Sequence, residues 1–342
     1  MLTHVNYAFA RVSDQGECIL GDEYADTQFL YHDDPPDQAP AGNFRQFQLL
    51  KEKYPHLKTL ISVGGWSWSD QFSDAALTAD SRATFARSCV AFMTQYGFDG
   101  IDIDWEYPTG GGLVPGAGRP EDTANFTLML AELRAQLDAQ GAQDGVHYLL
   151  TIAAPTGPGN YAGIQLGQIH PYLDWINVMA YDFHGSWDAT TNFNAPLYGT
   201  AADPGSNTDA AMTAYLAAGI PAEKLVVGVP FYGHGWQGVA DHNHGLYQPA
   251  SGPTEPDSFS YRDLVTNYLD RYPRYWQDEA QVPWLYSAED QIMISYDDPE
   301  SLAIKAAYVK ERGFGGVMFW ELSQDTADHA LLQALTDTLR AP

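Results

Sequence analysis

A chain of 342 residues with 17 Lys and Arg against 44 Asp and Glu carries a formal net charge of −27. A surface this negative repels phosphate backbones and anionic bilayers, so the composition excludes nucleic acid and a membrane surface as expected partners. The 45% hydrophobic and 13% aromatic content supplies an ample core and excludes disorder over most of the chain. No window reaches the roughly 18 uninterrupted apolar residues of a transmembrane helix. Met1 runs directly into the strand-like Leu2–Phe9 with no basic region before it, so no signal peptide is visible. Cys18 and Cys89 are too few for a disulfide framework. Cys89 lies among Phe85, Val90, Phe92 and Met93 on a helical stretch and reads as a buried structural thiol.

In chain order, apolar β-branched and aromatic runs alternate with stretches of helical period, the pattern of βα units on a parallel sheet. The predicted elements begin with a strand at 2–9, a loop at 31–42 (Asp33, Asp34, Pro35, Pro36, Pro40), a helix at 43–54, a strand at 58–63 and a helix at 80–96. A strand at 98–104 follows, then a Gly- and Pro-rich loop at 107–120 that includes Pro115, a helix at 121–140, a strand at 148–154, a helix at 163–173 and a strand at 174–181. The remainder reads as a helix at 208–219, a strand at 225–231, a helix at 299–312, a strand at 315–320 and a closing helix at 327–339. Between Tyr232 and Tyr296 the texture changes to scattered aromatics, Pro and Gly with one helical stretch near 260–270.

The fold class is therefore α/β, a (β/α)8 TIM barrel with an α+β insertion before its last strand. Residues 1–231 and 297–342 would form the barrel, and 232–296 the insertion subdomain. Seven barrel strands are predicted where closure needs eight. The absent first strand is expected upstream of Met1, the alternatives being a neighbouring chain that fills the gap or adjacent strands that close around it.

The most informative residues are Phe98-Asp99-Gly100-Ile101-Asp102-Ile103-Asp104-Trp105-Glu106-Tyr107. Side chains alternate along a strand, so Asp102, Asp104 and Glu106 share one face while Ile101, Ile103 and Trp105 share the other. Carboxylates about 6.6 Å apart in a poorly solvated barrel interior cannot all ionise, so at least one retains a proton, as a general acid must. Glu106 comes last, at the end of the strand where barrel enzymes keep their chemistry. A divalent metal held by three carboxylates, or structural burial alone, are the other readings of this ladder.

The pattern Asp99-x-x-Asp102-x-Asp104-x-Glu106 resembles the signature of family 18 glycoside hydrolases, the chitinases. Ser62-Val63-Gly64-Gly65-Trp66, Met179-Ala180-Tyr181-Asp182 and Gly315–Glu321 resemble further strand motifs of that family in the same order, and Leu2–Phe9 and Val227–Trp236 fit its second and seventh strands. The resemblance implies a retaining, substrate-assisted hydrolase of β-1,4-N-acetylglucosaminide bonds in chitin and its oligomers, working through an oxazolinium ion. Glu106 would be the acid, Asp104 would orient the acetamido group, Asp102 would share a proton with Asp104, and Tyr181 would donate to the acetamido oxygen. Asp182, Met179, Trp320, Phe9, Ser62, Trp66, Tyr107, Tyr232 and Trp236 are the implied substrate-binding residues, while Asp99, Gly64 and Gly65 serve the motif structurally. No cofactor and no metal are implied, the expected partner is chitin, and the expected location is extracellular. The alternatives are a non-catalytic chitinase-like carbohydrate-binding protein and an endoglycosidase acting on the chitobiose core of N-glycans.

Many family members carry Arg where this chain has His234, which is expected to remove a fixed donor. His242 and His244 read as solvated loop residues. Asn125-Phe126-Thr127 reads as a chance glycosylation sequon inside a helix.

Overall fold

The structure is a computed structural model that describes residues 2–35, 37–114 and 116–341, so Pro36 and Pro115 of the two predicted loops lie outside the described residues. The chain divides into two compact units, Met1–Ile176 and Asn177–Pro342.

The first unit comprises β1 (His4–Val12), β2 (Cys18–Ile19), α1 (Gly42–Lys53), β3 (Lys58–Gly64), α2 (Phe72–Leu77), α3 (Ala79–Tyr96), β4 (Gly100–Asp104), α4 (Asp122–Asp144), β5 (Leu149–Ala154), α5 (Pro158–Tyr161) and α6 (Leu166–Ile169). Strand β1 pairs in parallel with β3, β3 with β4, and β4 with β5, while β2 folds back antiparallel on β1. Every residue of β4 is buried, as expected for a parallel strand covered on both faces. Helix α3 shows why this cover forms. Thr78 and Ser81 make a capping box at its start, and Phe85, Ala86, Cys89, Val90, Phe92 and Met93 recur on one stripe that turns inward. Each such large apolar side chain contributes about 1.5–3 kcal/mol by burial.

Two predicted elements differ, and one helix is additional. The helix expected at 163–173 is reduced to α6 and a 3-10 turn at His170–Tyr172, because Gly163, Gly167 and Pro171 interrupt the helical run, and α5 precedes it as a separate short turn. Helix α2 was not anticipated. The strand expected at 174–181 is β6 (Trp175–Val178), which carries the chain into the second unit and stops where Ala180 N–H turns back onto the Val178 carbonyl at 2.8 Å.

The second unit continues with α7 (Thr208–Ala217), β7 (Leu225–Pro230), β8 (Tyr232–Gln237), β9 (Gly252–Ser260), α8 (Tyr261–Asn267), β10 (Arg274–Gln277), β11 (Val282–Ser287), β12 (Ile292–Ser295), α9 (Pro299–Arg312), β13 (Gly316–Trp320) and α10 (Ala330–Arg340). Strands β13 and β7 are parallel, with Gly316 opposite Val226. Strands β8 to β12 form a separate antiparallel sheet in the order β10-β11-β12-β8-β9, with α8 between β9 and β10. Its core holds Phe193, Trp236, Trp284, Tyr286 and Met293. Helix α9 begins at a second capping box, Asp298 with Ser301, and has Pro299 in its first turn. On its buried face Lys305 Nζ donates to both oxygens of Asp297, at 2.7 and 2.8 Å, and to the Ala195 carbonyl at 2.6 Å.

Candidate active site

In the first unit the carboxylate ladder is assembled by strand register. Asp102 stands opposite Ser62 of β3 and Thr151 of β5, so the same alternation that turns its side chain inward turns both hydroxyls toward it. Ser62 Oγ donates to Asp102 Oδ2 at 2.8 Å and Thr151 Oγ1 donates to Oδ1. Asp104 lies two residues on, 7% exposed, and its Oδ1 is buried without a hydrogen-bond partner among the described residues. Burial pushes the Asp104 carboxyl well above its ordinary value of 3.8, reinforced by the charges of Glu106 and Asp102 and by a hydrogen bond to Glu106. Asp104 therefore favours its protonated form, with Glu106 as its hydrogen-bond partner and Asp102 acting on it through charge. Glu106 is half-buried at the C-terminal exit of β4.

That exit is held by a residue the motif reading did not single out. Ser69 Oγ accepts from Glu106 N–H at 2.9 Å and lies 2.9 and 3.1 Å from the Gly65 and Asp104 carbonyls. Gly65 N–H also donates to the Asp104 carbonyl at 2.8 Å. The two glycines are required by this close approach. Gly64, at φ +109°, would place a Cβ 2.4 Å from the Asp104 carbonyl oxygen, and Gly65, at φ +81°, would place one 2.8 Å from the Phe9 ring. Phe9 and Tyr107 are half-buried, whereas Trp66 is 53% exposed. The peptide bonds entering Phe9, Tyr107 and Glu321 are cis.

At the other end of β4, Asp99 is structural. Its carboxylate accepts from Thr59 N–H at 2.9 Å and pairs with Lys51 at 2.7 Å and Lys58 at 3.4 Å. Burial opposes ionisation there, yet Lys51, the Thr59 amide and Lys58 outweigh it and hold the carboxyl below its ordinary range. Trp105, on the opposite face from the ladder, stacks on Phe72 at 5.3 Å and belongs to the core.

In the second unit Tyr181, Tyr232 and Ala195 form a small buried cluster with Met179 and Met318 against it. Tyr181 OH points to Met318 Sδ at 3.9 Å. Asp182 follows at φ +56°, a left-handed conformation that Asp tolerates, with its N–H donated to Asn194 Oδ1 at 2.9 Å. Asp182 Oδ1 accepts from Tyr232 OH at 2.7 Å and His234 Nε2–H at 2.8 Å. Position 234 thus sets an imidazole nitrogen on the Asp182 carboxylate. Trp187, 60% exposed, packs edge-on against His234 at 4.9 Å.

Trp320 ends β13 with 38% of its surface exposed. Trp236 corrects the sequence reading. It is 0% exposed, its Nε1 donates to the Asp188 carbonyl at 3.2 Å, and it has no face to offer a ligand. Alternation along β8 turns it into the antiparallel sheet's core. His242 and His244 are exposed, with the His244 ring stacked on Tyr275 at 4.1 Å, and the described residues contain no group of three His, Cys, Asp or Glu able to hold a metal. Asn125, Phe126 and Thr127 are buried in α4.

Among the supporting residues, Thr151 carried a signal: it is a lone hydroxyl in the apolar run Leu149–Ile152, in register with Asp102. Ser69 and Asn194 carried none, because each acts from a loop with no period.

Comparison with known proteins agrees with the motif order. Residues 1–325 match the family model described as glycosyl hydrolases family 18. Chitinase A1 of Niallia circulans is 45% identical over 369 residues, covering 95% of this chain and 53% of that protein. This chain thus spans about half the length of that relative. A chitinase structure from Bacillus thuringiensis superposes with a TM-score of 0.93 at 40% identity, covering 99% of this chain and 65% of the other. The catalytic domain of the psychrophilic chitinase B from Arthrobacter TAD20 gives 0.92 at 33% identity, covering 100% of this chain and 89% of that one. With a TIM-barrel-like α/β fold and the ladder in place, the chain belongs to family 18 of the glycosyl hydrolases.

Proposed function

We propose that the protein is a chitinase that hydrolyses β-1,4 bonds between N-acetylglucosamine units with retention of configuration. The observation that carries this reading is the ladder: a buried, proton-holding Asp104 with an unpaired Oδ1, hydrogen-bonded to Glu106 at the mouth of β4. Glu106 protonates the glycosidic oxygen as the bond to C1 breaks. The substrate's acetamido carbonyl oxygen attacks C1 from the opposite face and forms an oxazolinium ion. Asp104 Oδ1 accepts the acetamido N–H as positive charge develops, and Tyr181 OH donates to the carbonyl oxygen. Glu106 then takes a proton from the water that reopens the ring, restoring the acid.

Asp182, Met179 and Tyr232 would contact the same sugar, and the exposed faces of Trp320 and Trp66 offer platforms for sugar rings. Residues 232–296 would act as an insertion subdomain beside the barrel formed by 1–231 and 297–342. The substrate is a polymer outside cells, so the protein would act extracellularly. Among the described residues no helix is long and apolar enough to cross a membrane.

Glu106→Gln tests the assignment. Turnover of chitin oligomers should fall by about 10²–10⁴-fold, the usual range for a general acid, while oligosaccharide binding persists. Unchanged turnover overturns the proposal. Running the parent protein on a chitin-oligomer series beside a high-mannose glycopeptide separates a chitinase from an N-glycan endoglycosidase and from a binder that cleaves neither.

A further inference from the structure

The two cysteines of the chain, far apart in sequence, are brought side by side where β2 meets α3. Cys18 lies on β2 and its N–H donates to Ser88 Oγ at 2.8 Å; Cys89 is the next residue along α3 and points with the helix's buried stripe. Both are buried and both thiols are free. Burial, then the adjoining Cys18 thiol within hydrogen-bonding reach, pushes the Cys89 thiol up. Neither thiol has another cysteine to compete for it within the chain.

We propose that Cys18 and Cys89 are a disulfide-forming pair that staples β2 to α3. Strand β2 needs such an anchor. It pairs with β1 through two positions alone, Arg11 with Ile19 and Val12 with Cys18, and the segment it starts passes Gly21 against the Phe9 carbonyl and the Trp68 ring. The staple closes a loop of about 70 residues, long enough for a cross-link to restrict the unfolded chain substantially.

The chemistry is thiol–disulfide exchange with a small-molecule disulfide such as oxidised glutathione. The Cys18 thiolate attacks one sulfur of the oxidant, forming a mixed disulfide and releasing one thiolate. The Cys89 thiolate then attacks the Cys18 sulfur, forming the internal bond and releasing the second thiolate. The protons lost by the two cysteines end on the two released thiols, so the protein pair is oxidised by two electrons and the oxidant is reduced by two. Because a buried thiol is a poor nucleophile, the exchange belongs to folding, before α3 closes over Cys89.

The full chain, reduced and unfolded in guanidinium, is refolded either in a mixture of oxidised and reduced glutathione or in reductant alone. Free thiols are then counted by maleimide tagging under denaturing conditions, and an unreduced digest is mapped by mass spectrometry. The expected result is no taggable thiol after oxidative refolding, a linked peptide pair carrying Cys18 and Cys89, and a Tm higher by about 5 °C than in the reduced form. In Cys18→Ser and in Cys89→Ala, each compared with itself, the redox difference in Tm should vanish, which separates the staple from any packing cost of the substitution. Two taggable thiols after oxidative refolding, cross-links found only between chains, or an internal bond that leaves Tm unchanged would each overturn the proposal.

Discussion

A carboxyl group whose proton affinity rises on folding destabilises the fold whenever it ionises, and Asp104 is such a group. Its folded pKa lies above the ordinary 3.8, so its stabilising contribution is fully present below 3.8 and is lost as pH climbs through the folded value. Asp104→Asn should therefore melt above the parent at neutral pH, with the gap closing toward pH 3, while turnover collapses. Melting curves of both proteins across pH 3–8 check this; a parent at least as stable at neutral pH contradicts it. Ser69 makes a second case. Ser69→Ala leaves the Glu106 N–H without its acceptor at a cost of about 1–3 kcal/mol, and it frees the turn that aims the acid. The expected signature is a lower kcat with KM nearly unchanged, measured on short chitin oligomers. The ladder was legible because period two is a property of any strand, whereas the partnership of Thr151 with Asp102 needs the register between β4 and β5. Ser69 was not, since its bond to Glu106 joins positions 37 apart across a turn that no periodicity describes. Trp236, implied as a sugar contact by the family resemblance, is instead buried by the antiparallel sheet, whose pairing the resemblance does not describe.

At the scale of elements, the parts that carried their own punctuation were readable and the parts that rely on neighbours were not. Helix α9 was expected at 299–312 and is found at Pro299–Arg312, because Asp298, Pro299 and the closing Gly313 mark both ends. Strand β2, two residues long, has no sequence pattern at all and exists through β1 and α3. The same helix α9 holds the Lys305–Asp297 pair in full burial. Burial lowers the Lys305 proton affinity and raises that of Asp297, so each ion depends on the other. Lys305→Met should cost about 3–5 kcal/mol by leaving Asp297 unpaired, and Lys305→Met combined with Asp297→Leu should recover a large part of it. Denaturant midpoints of the two variants decide; a double variant as unstable as the single one would show that the cost is packing rather than charge.

For the molecule as a whole, the net charge of −27 is a standing self-repulsion that a folded chain concentrates and an unfolded one spreads. Added salt shortens the reach of that repulsion, to about 10 Å at 0.1 M, so Tm at neutral pH should rise between 10 and 300 mM sodium chloride. A flat or falling Tm over that range would mean that local ion pairs, such as Arg274 with Asp298 and Glu300, outweigh the global term. Lys305 Nζ reaches back 110 residues to the Ala195 carbonyl, in the segment that also carries Asn194, the acceptor for Asp182 N–H, and Trp187. A chain made from its N-terminus exposes that segment well before residue 305 has been synthesised, and distant partners are slow to meet. A nascent chain stalled short of α9 should therefore still lack the Lys305 anchor on the segment around Ala195.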